Sequence, residues 1–193
     1  MSMPLMGAGP SAGGAAAAPP ATTTYYPNST NCVGWDGYDA AGPPATLAMD
    51  SEAALSGAEL TTSSVDDTNF LTYAGTNGQY LGCHIRIAIT EVPADVTQID
   101  VLAKGYGMHW APPPVFSYGL YIWDADGTSW ELMDSHTLNV SGTVSDSVLA
   151  NFTNYIHNIT GTNYIDILLL GGLGNAMAGP KLYTYYVELA VTG

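Results

Sequence analysis

Hydrophobic and polar residues alternate along much of the chain beyond residue 79. In the run CHIRIAIT at residues 83–90, Cys83 and the three isoleucines share one face, and polar or small residues take the other. This period of two is typical of a β-strand with one buried face, because successive side chains of a strand point to opposite sides of the sheet. The segment is therefore predicted to be a strand that covers a hydrophobic core.

Similar segments predict further strands, separated by turn residues such as SSVDD and GTNG. They are expected at residues 96–106, 116–123, 130–138, 163–170 and 182–192, with short candidates at 46–49 and 69–73. In the last of the main strands, Tyr183, Tyr185 and Val187 are expected to share one face. About eight strands in all predict an all-β protein, a jelly-roll β-sandwich.

Residues 145–158, SDSVLANFTNYIHN, depart from this alternation. Their apolar residues recur at helical spacing, and the Ser145 hydroxyl can accept a backbone N–H at the start of a helix. We therefore expect one short helix here, lying across an opening of the sheets.

Residues 1–31 have a different composition, rich in Gly, Ala, Pro, Ser and Thr. Such a segment cannot form a core of its own, so it is either an extended arm or a disordered tail. We predict an arm over residues 1–31 and a jelly-roll domain over 32–193. The arm would add backbone hydrogen bonds at the sheet edge of a neighbouring subunit. The side chains expected to dock there are Met3, Leu5, Met6, Tyr25 and Tyr26.

The formal net charge is −14, from 17 acidic and only 3 basic residues. A surface this negative repels phosphate, so neither nucleic acid nor an anionic membrane is expected as a partner. The longest apolar stretch, residues 165–179, is too short and too interrupted to span a bilayer. No targeting segment is evident at the start, so the chain as given is expected to stay soluble in the cytoplasm, the alternative being a mature product whose leader has been removed.

The segment LYIWDADGTSWELMDSH at residues 120–136 contains the most concentrated candidate chemistry. Asp124, Asp126 and Thr128 present oxygen atoms at every second position, which suits a hard cation such as Ca²⁺. The alternative is an ordinary hairpin, because Asp126-Gly127 is a favoured dipeptide for a tight turn between strands. The hairpin is the stronger of the two interpretations.

The strands QIDVLAKGYG, LYIWDADGTSWELMDS, YIDILLL and LYTYYVELAVT form a pattern within residues 98–192. In this order the pattern resembles a galactose-binding type of jelly-roll module found in archaeal and bacterial surface proteins. The resemblance covers about half of the chain and implies the fold, with carbohydrate binding as one function that the fold hosts. The architecture is also similar to that of small β domains with extended arms that decorate virus capsids.

A sugar site would need aromatic rings on which a glycan can stack. His109, Trp110, Trp123 and Trp130 are the candidates for such a platform. The alternative is that these rings pack in the core or pair across strands.

Cys32 and Cys83 could form a disulfide, or they could be two small buried side chains. The Asn-x-Ser/Thr pattern occurs at Asn28, Asn139, Asn151 and Asn158, which marks possible glycosylation sites. The four histidines are scattered, and neither a nucleophile elbow nor a phosphate loop is present. We therefore expect no catalytic residues and no enzymatic activity.

These observations predict a non-enzymatic structural protein in a large assembly. The leading hypothesis is a virion capsid decoration or cement protein whose arm binds copies of itself, a major capsid protein or another scaffold protein. One alternative is a subunit of an extracellular filament or surface layer at the cell surface. The other is a carbohydrate-binding module with a glycan as its partner.

Overall fold

The computed structural model describes residues 18–39, 42–67, 69–74, 79–108, 118–137, 140–171 and 181–193. The first strands along the chain are β1 (Thr22–Tyr25), β2 (Cys32–Asp39), β3 (Ser51–Ala54), β4 (Leu71–Ala74), β5 (Tyr80–Ile89) and β6 (Gln98–Met108). The later ones are β7 (Tyr118–Asp124), β8 (Ser129–His136), β9 (Gly142–Val148), β10 (His157–Ile159), β11 (Thr162–Gly171) and β12 (Lys181–Thr192). Helical structure in the described ranges is limited to α1 (Gly57–Thr62) and a 3₁₀ turn (Phe152–Asn154).

The strands form two antiparallel sheets. The five-stranded sheet has the order β1-β12-β6-β9, with β4 also paired to β12. The seven-stranded sheet has the order β3-β2-β5-β11-β7-β8, with β10 also paired to β11. The inner faces pack together as a jelly-roll β-sandwich, so the all-β prediction is confirmed.

The core lies between the two sheets. From the larger sheet, Ile85, Ile87 and Ile167 point inward, and from the smaller sheet Val101 and Leu189 do the same. All five are at most 1% exposed. The alternation read in residues 83–90 is therefore that of the strand β5, with one face in this core.

The predicted helix over residues 145–158 is wrong. Its first four residues, 145–148, are the end of β9, which pairs with β6 at the sheet edge. The chain then makes the 3₁₀ turn, from which Phe152 and Tyr155 pack against the same core. The apolar spacing is thus divided between a strand and a turn, because pairing with β6 supplies the backbone hydrogen bonds that a helix would have made internally. The short strand predicted at residues 46–49 also does not form.

The helix that does form, α1, has a clear local cause. Ser56 accepts the backbone N–H of Glu59, and the Glu59 carboxylate accepts the backbone N–H of Ser56. This capping box satisfies two N–H groups that a helix start leaves without partners. Leu60 is 3% exposed and attaches the helix to the core. In the part of the chain that the structure describes, no helix is long and apolar enough to cross a membrane.

Candidate functional site

An aromatic cluster lies on the outer face of the five-stranded sheet. The rings of Tyr106 and Tyr183 are stacked, with centroids 4.4 Å apart and planes 10° apart. Tyr185 lies 6.2 Å from Tyr106 in a second stacked contact. Phe70 packs 5.2 Å from both Tyr183 and Tyr185. We call Phe70, Tyr106, Tyr183 and Tyr185 the tyrosine platform.

Strand register brings these rings together. Tyr106 on β6 lies directly opposite Tyr183 on β12. A register shift between Thr184 and Tyr186 inserts Tyr185 as an additional residue in β12. Because such a bulge changes which side chains face outward, Tyr183 and Tyr185 lie on the outer face while Val187 turns into the core. The expectation that Val187 shares a face with the two tyrosines is therefore wrong.

The platform is accessible and uncharged, and it has polar groups at its edge. Phe70 is 43% exposed and the three tyrosines are half-buried. Burial and the neighbouring hydroxyls of Tyr185 and Tyr183 raise the pKa of Tyr106 to about 12, so this hydroxyl stays protonated at neutral pH. Beside it on β6, Lys104 forms an exposed ion pair of 2.8 Å with Asp66. The surface thus offers ring faces together with hydrogen-bonding groups.

A second group of polar side chains, buried to different degrees, lies on the other sheet. We call Glu52, His84, Arg86, His157 and Asp166 the charged cluster. The Asp166 carboxylate is fully buried at its centre. Its Oδ1 accepts from His84 Nε2 at 2.6 Å and from Arg86 Nε at 2.9 Å. Its Oδ2 lies 2.9 Å from His157 Nε2, and Glu52 lies 3.4 Å from the other nitrogen of His84.

Contacts within this cluster favour the charged forms of Asp166, His84 and Glu52. Burial alone would raise the pKa of Asp166, but hydrogen bonds from His157 and His84 outweigh it and hold that pKa at about 2. Burial alone would lower the pKa of His84, yet its bonds to Asp166 and Glu52 raise it. Glu52 likewise has a lowered pKa, since its contacts with His84 outweigh its burial. The cluster is a compensated ionic network beneath the surface.

Aromatic rings surround the charged cluster. Trp35 lies 4.7 Å from the His84 ring, and the Arg86 guanidinium lies 5.5 Å from the centroid of Trp35 and 5.9 Å from that of Tyr164. Both guanidinium contacts are within the range of cation–π attraction. The rings fix the position of a guanidinium whose side chain is 17% exposed.

One of the three predicted calcium ligands, Asp124, is used by the turn. Asp124 Oδ1 accepts the backbone N–H groups of Asp126 and Gly127 at 2.9 and 2.8 Å. Thr128 follows with φ of 51°, as the tight turn requires. Over the described ranges, no group of three or more His, Cys, Asp or Glu residues could hold a metal ion. The structure therefore supports the hairpin interpretation.

The predicted tryptophan platform is not open to solvent. Trp123 and Trp130 pack edge to face at 5.3 Å and are 7% and 8% exposed. They form a small outer cluster with Met49, and Trp130 donates its ring N–H to the Thr46 carbonyl at 3.0 Å. This burial under the segment before β3 corrects their assignment to a sugar site. His109 and Trp110 lie outside the described residues.

The predicted arm has a different role where it is described. β1 pairs with β12 of the same chain, with Thr22 opposite Thr192. Tyr25 is 8% exposed in the core, and its hydroxyl bonds to Thr90 and Glu91. Tyr26 is 39% exposed and its ring lies 6.0 Å from that of Tyr186. Residues 22–25 thus belong to the sandwich, whereas Met3, Leu5 and Met6 lie outside the described residues.

The two cysteines are both buried as free thiols, which agrees with the interpretation of two small buried side chains. Cys32 lies opposite Ile87, four residues along β5 from Cys83. Four strand residues separate Cα atoms by about 13 Å, well beyond the ~7 Å limit for a disulfide.

The glycosylation candidates differ in what their side chains do. Asn28 accepts from the backbone of Thr30 and Asn31, and Asn158 donates to Asn163. Asn151 is exposed with φ of 55°, and Asn139 lies outside the described residues. These sites stay predictions.

Sequence reasoning missed the tyrosine platform and the charged cluster. The signal for the platform was present in the run YTYY at residues 183–186, but only the bulge puts its rings beside Tyr106. The cluster joins side chains as much as 114 positions apart, Glu52 and Asp166, so no local pattern reveals it.

Comparison with known proteins places the chain in a family. Residues 36–193 match the AF_1625_C family, described as "Uncharacterized protein, C-terminal domain", and the chain belongs to it. No curated protein matches the sequence.

Several solved structures are similar in fold. The "xylan-binding module CBM15" is 9% identical over 89% of this chain and 96% of its own length, with a TM-score of 0.44. The module TmCBM61, solved with β-1,4-galactotriose, is 11% identical over 67% and 74%, with a TM-score of 0.35. The CBM22-1 xylan-binding domain of Paenibacillus barcinonensis Xyn10C is 9% identical over 65% and 83%, with a TM-score of 0.31.

Proposed function

We propose that this member of the AF_1625_C family is a non-catalytic carbohydrate-binding module whose ligand stacks on the tyrosine platform. The observation that carries the proposal is the group of four adjacent aromatic rings on an outer sheet face, with Phe70 43% exposed. Soluble proteins place such a group at the surface mainly where it binds a partner. Sugar rings present apolar C–H faces that stack on aromatic rings, while their hydroxyls bond to groups such as the protonated Tyr106 hydroxyl.

The positions of Tyr25 and Tyr26 favour this function over capsid decoration. Decoration through an exchanged arm would require Tyr25 and Tyr26 to dock on another subunit. Tyr25 instead lies in the core of its own chain, and Tyr26 packs beside Tyr186. The hypothesis of a capsid component that docks through these two tyrosines therefore has less support than a glycan-binding role.

A glycan array with the full chain tests the proposal, and it should include xylan and β-1,4-galactan fragments. We expect the unmodified protein to bind at least one neutral glycan. Tyr183→Ala should bind that glycan with a dissociation constant about tenfold higher, equivalent to ~1.4 kcal/mol. Tyr38→Ala is the matched control, because Tyr38 is a 37% exposed tyrosine of the other sheet. It should bind as the unmodified protein does.

Two results would contradict the proposal. A blank array would remove carbohydrate as the ligand class. Equal binding by Tyr183→Ala and the unmodified protein would show that the glycan sits elsewhere, provided that the two unfold at the same urea concentration.

A further inference from the structure

A pocket of about 250 Å³ opens beside Arg86 on the face of the seven-stranded sheet. Its polar lining is Ser29, Thr30 and Asn31, and its apolar lining includes Val33 and the ring of Tyr164. We call it the Arg86 pocket. Its volume is below the ~300–1,000 Å³ of pockets for larger ligands, so it suits a small ligand such as one sugar residue.

The charge of this pocket is unusual for the chain. Arg86 is one of only 3 basic residues against 17 acidic ones, and no acidic side chain lines the pocket. A depression on the opposite, five-stranded sheet has a different lining, which includes Asp100, Asp146 and Glu188. The lining of the Arg86 pocket therefore presents one cation and no carboxylate, whereas the Asp166 carboxylate that pairs with Arg86 is buried.

Arg86 uses only its Nε donor in hydrogen bonds to described residues. Its Nε donates to both oxygens of Asp166, at 2.9 and 3.2 Å. No described residue accepts a hydrogen bond from its two terminal nitrogens, which carry four N–H donors. Asp166 and the rings of Trp35 and Tyr164 hold the guanidinium in place. A fixed guanidinium with its terminal edge available suits a carboxylate, which it can bind with two parallel hydrogen bonds.

We propose that the Arg86 pocket binds the carboxylate of a single uronic acid residue. The terminal nitrogens of Arg86 would hold the carboxylate, and Ser29, Thr30 and Asn31 would bond to the ring hydroxyls. The apolar part of the lining would cover a C–H face of the sugar. This site lies on the opposite sheet from the tyrosine platform and does not depend on it, so each can fail alone.

Titration of the full chain, followed by NMR chemical shifts, tests the site with glucuronate and galacturonate. We expect saturable binding with a dissociation constant of about 1 mM, and at least about tenfold weaker binding of glucose, galactose and acetate. Uronates that bind no better than the neutral sugars would overturn the role of Arg86. Acetate that binds as tightly as the uronates would overturn the role of the sugar ring.

Variants locate the binding. Ile159 lines the pocket and is 37% exposed, so Ile159→Asp places a repelling carboxylate there without touching the core. It should weaken uronate binding about tenfold or more, whereas Val92→Asp, at a 56% exposed position outside the pocket, should not. Arg86→Lys keeps a cation beside Asp166 but removes the two terminal guanidinium nitrogens that can bind a carboxylate together. It should also weaken uronate binding. Unchanged binding in Ile159→Asp would overturn the proposal, while Tyr183→Ala should leave uronate binding intact.

Discussion

At the scale of single residues, Asp166 is the shared partner of three basic side chains. It is fully buried, and its two oxygens contact His84, Arg86 and His157. Arg86 and a protonated His84 need a counter-ion in this environment, because a buried charge without a partner is costly. Removing one carboxylate therefore affects three other side chains at once.

Asp166→Asn should destabilise the fold by about 3–5 kcal/mol, the range found when one partner of a buried ionic network is removed. The measurement is the free energy of unfolding from urea titration followed by tryptophan fluorescence. Asp126→Asn is the control, since Asp126 is exposed at the hairpin turn and should leave the unfolding midpoint nearly unchanged. A loss below about 1 kcal/mol in Asp166→Asn would mean that the network contributes little.

Stability should depend on pH through His84 and the carboxylates beside it. The pKa of His84 is raised above 6.5, so its contribution is complete below that pH and is lost as the pH rises through the folded-state value. The pKa of Asp166 falls from 3.8 to about 2, so its contribution is present above 3.8 and is lost as the pH falls toward 2. Urea unfolding at a series of pH values should therefore show a free energy of unfolding that declines as the pH rises above 6.5 and as it falls below 3.8.

His84→Gln tests which group causes the decline at higher pH. The variant should lose the dependence above pH 6.5, whatever its absolute stability. The same slope in the variant and the unmodified protein would assign the effect to another group.

At the scale of elements, β1 is the strand whose role sequence composition misjudges. Its four residues, TTTY, follow a Gly/Ala/Pro-rich segment and look like part of an arm. They nevertheless close the edge of the five-stranded sheet, and Tyr25 inserts its ring into the core. The sandwich therefore includes β1.

Two truncations separate β1 from the segment before it. Deleting residues 1–17 leaves β1 intact and serves as the reference for a deletion that removes the strand. Deleting residues 1–26 removes β1 and the buried ring of Tyr25, and should cost about 3–5 kcal/mol by analogy with loss of a large core side chain. Thermal unfolding followed by circular dichroism measures both, and equal stability of the two truncations would show that β1 is dispensable.

The longer strands from β5 onward were predictable except β9, whereas β1, β2, β3 and β10 and the irregular features were not. The sequence pattern locates β5, β7 and β8 within a few residues, because β5 buries one face along its length, β7 is buried on both faces, and β8 follows the Asp126-Gly127 turn. The β12 bulge and the division of residues 145–158 depend on pairing with β6, which is distant in sequence. The candidate sites were harder still to predict, because Tyr106 contacts Tyr183, and Arg86 contacts Asp166, only once the sheets have formed.

At the scale of the whole molecule, two packed sheets supply the core without a covalent link. Burial raises the pKa of Cys32 to about 11 and that of Cys83 to about 12, so both thiols stay protonated and poorly reactive at neutral pH. The stability of the sandwich therefore rests on packing and hydrogen bonding.

Reducing agent should have no effect on the melting temperature of the protein. A thiol reagent should modify two cysteines per chain in denaturant and very little without it, because Cys32 is 6% and Cys83 0% exposed. A lower melting temperature in dithiothreitol would show that a disulfide forms after all.

The pairing of β1 with β12 also determines how the molecule would respond to force. Ala21 and Gly193 exchange two backbone hydrogen bonds at 2.9 and 3.0 Å, so these positions lie side by side at one end of an antiparallel pair. Tension applied between them would load the hydrogen bonds one after another, as in a zipper, instead of shearing them together. β1 would peel away first, while β12 would still be held by β6 and β4. Under tension, the sandwich would yield at the strand that closes its edge.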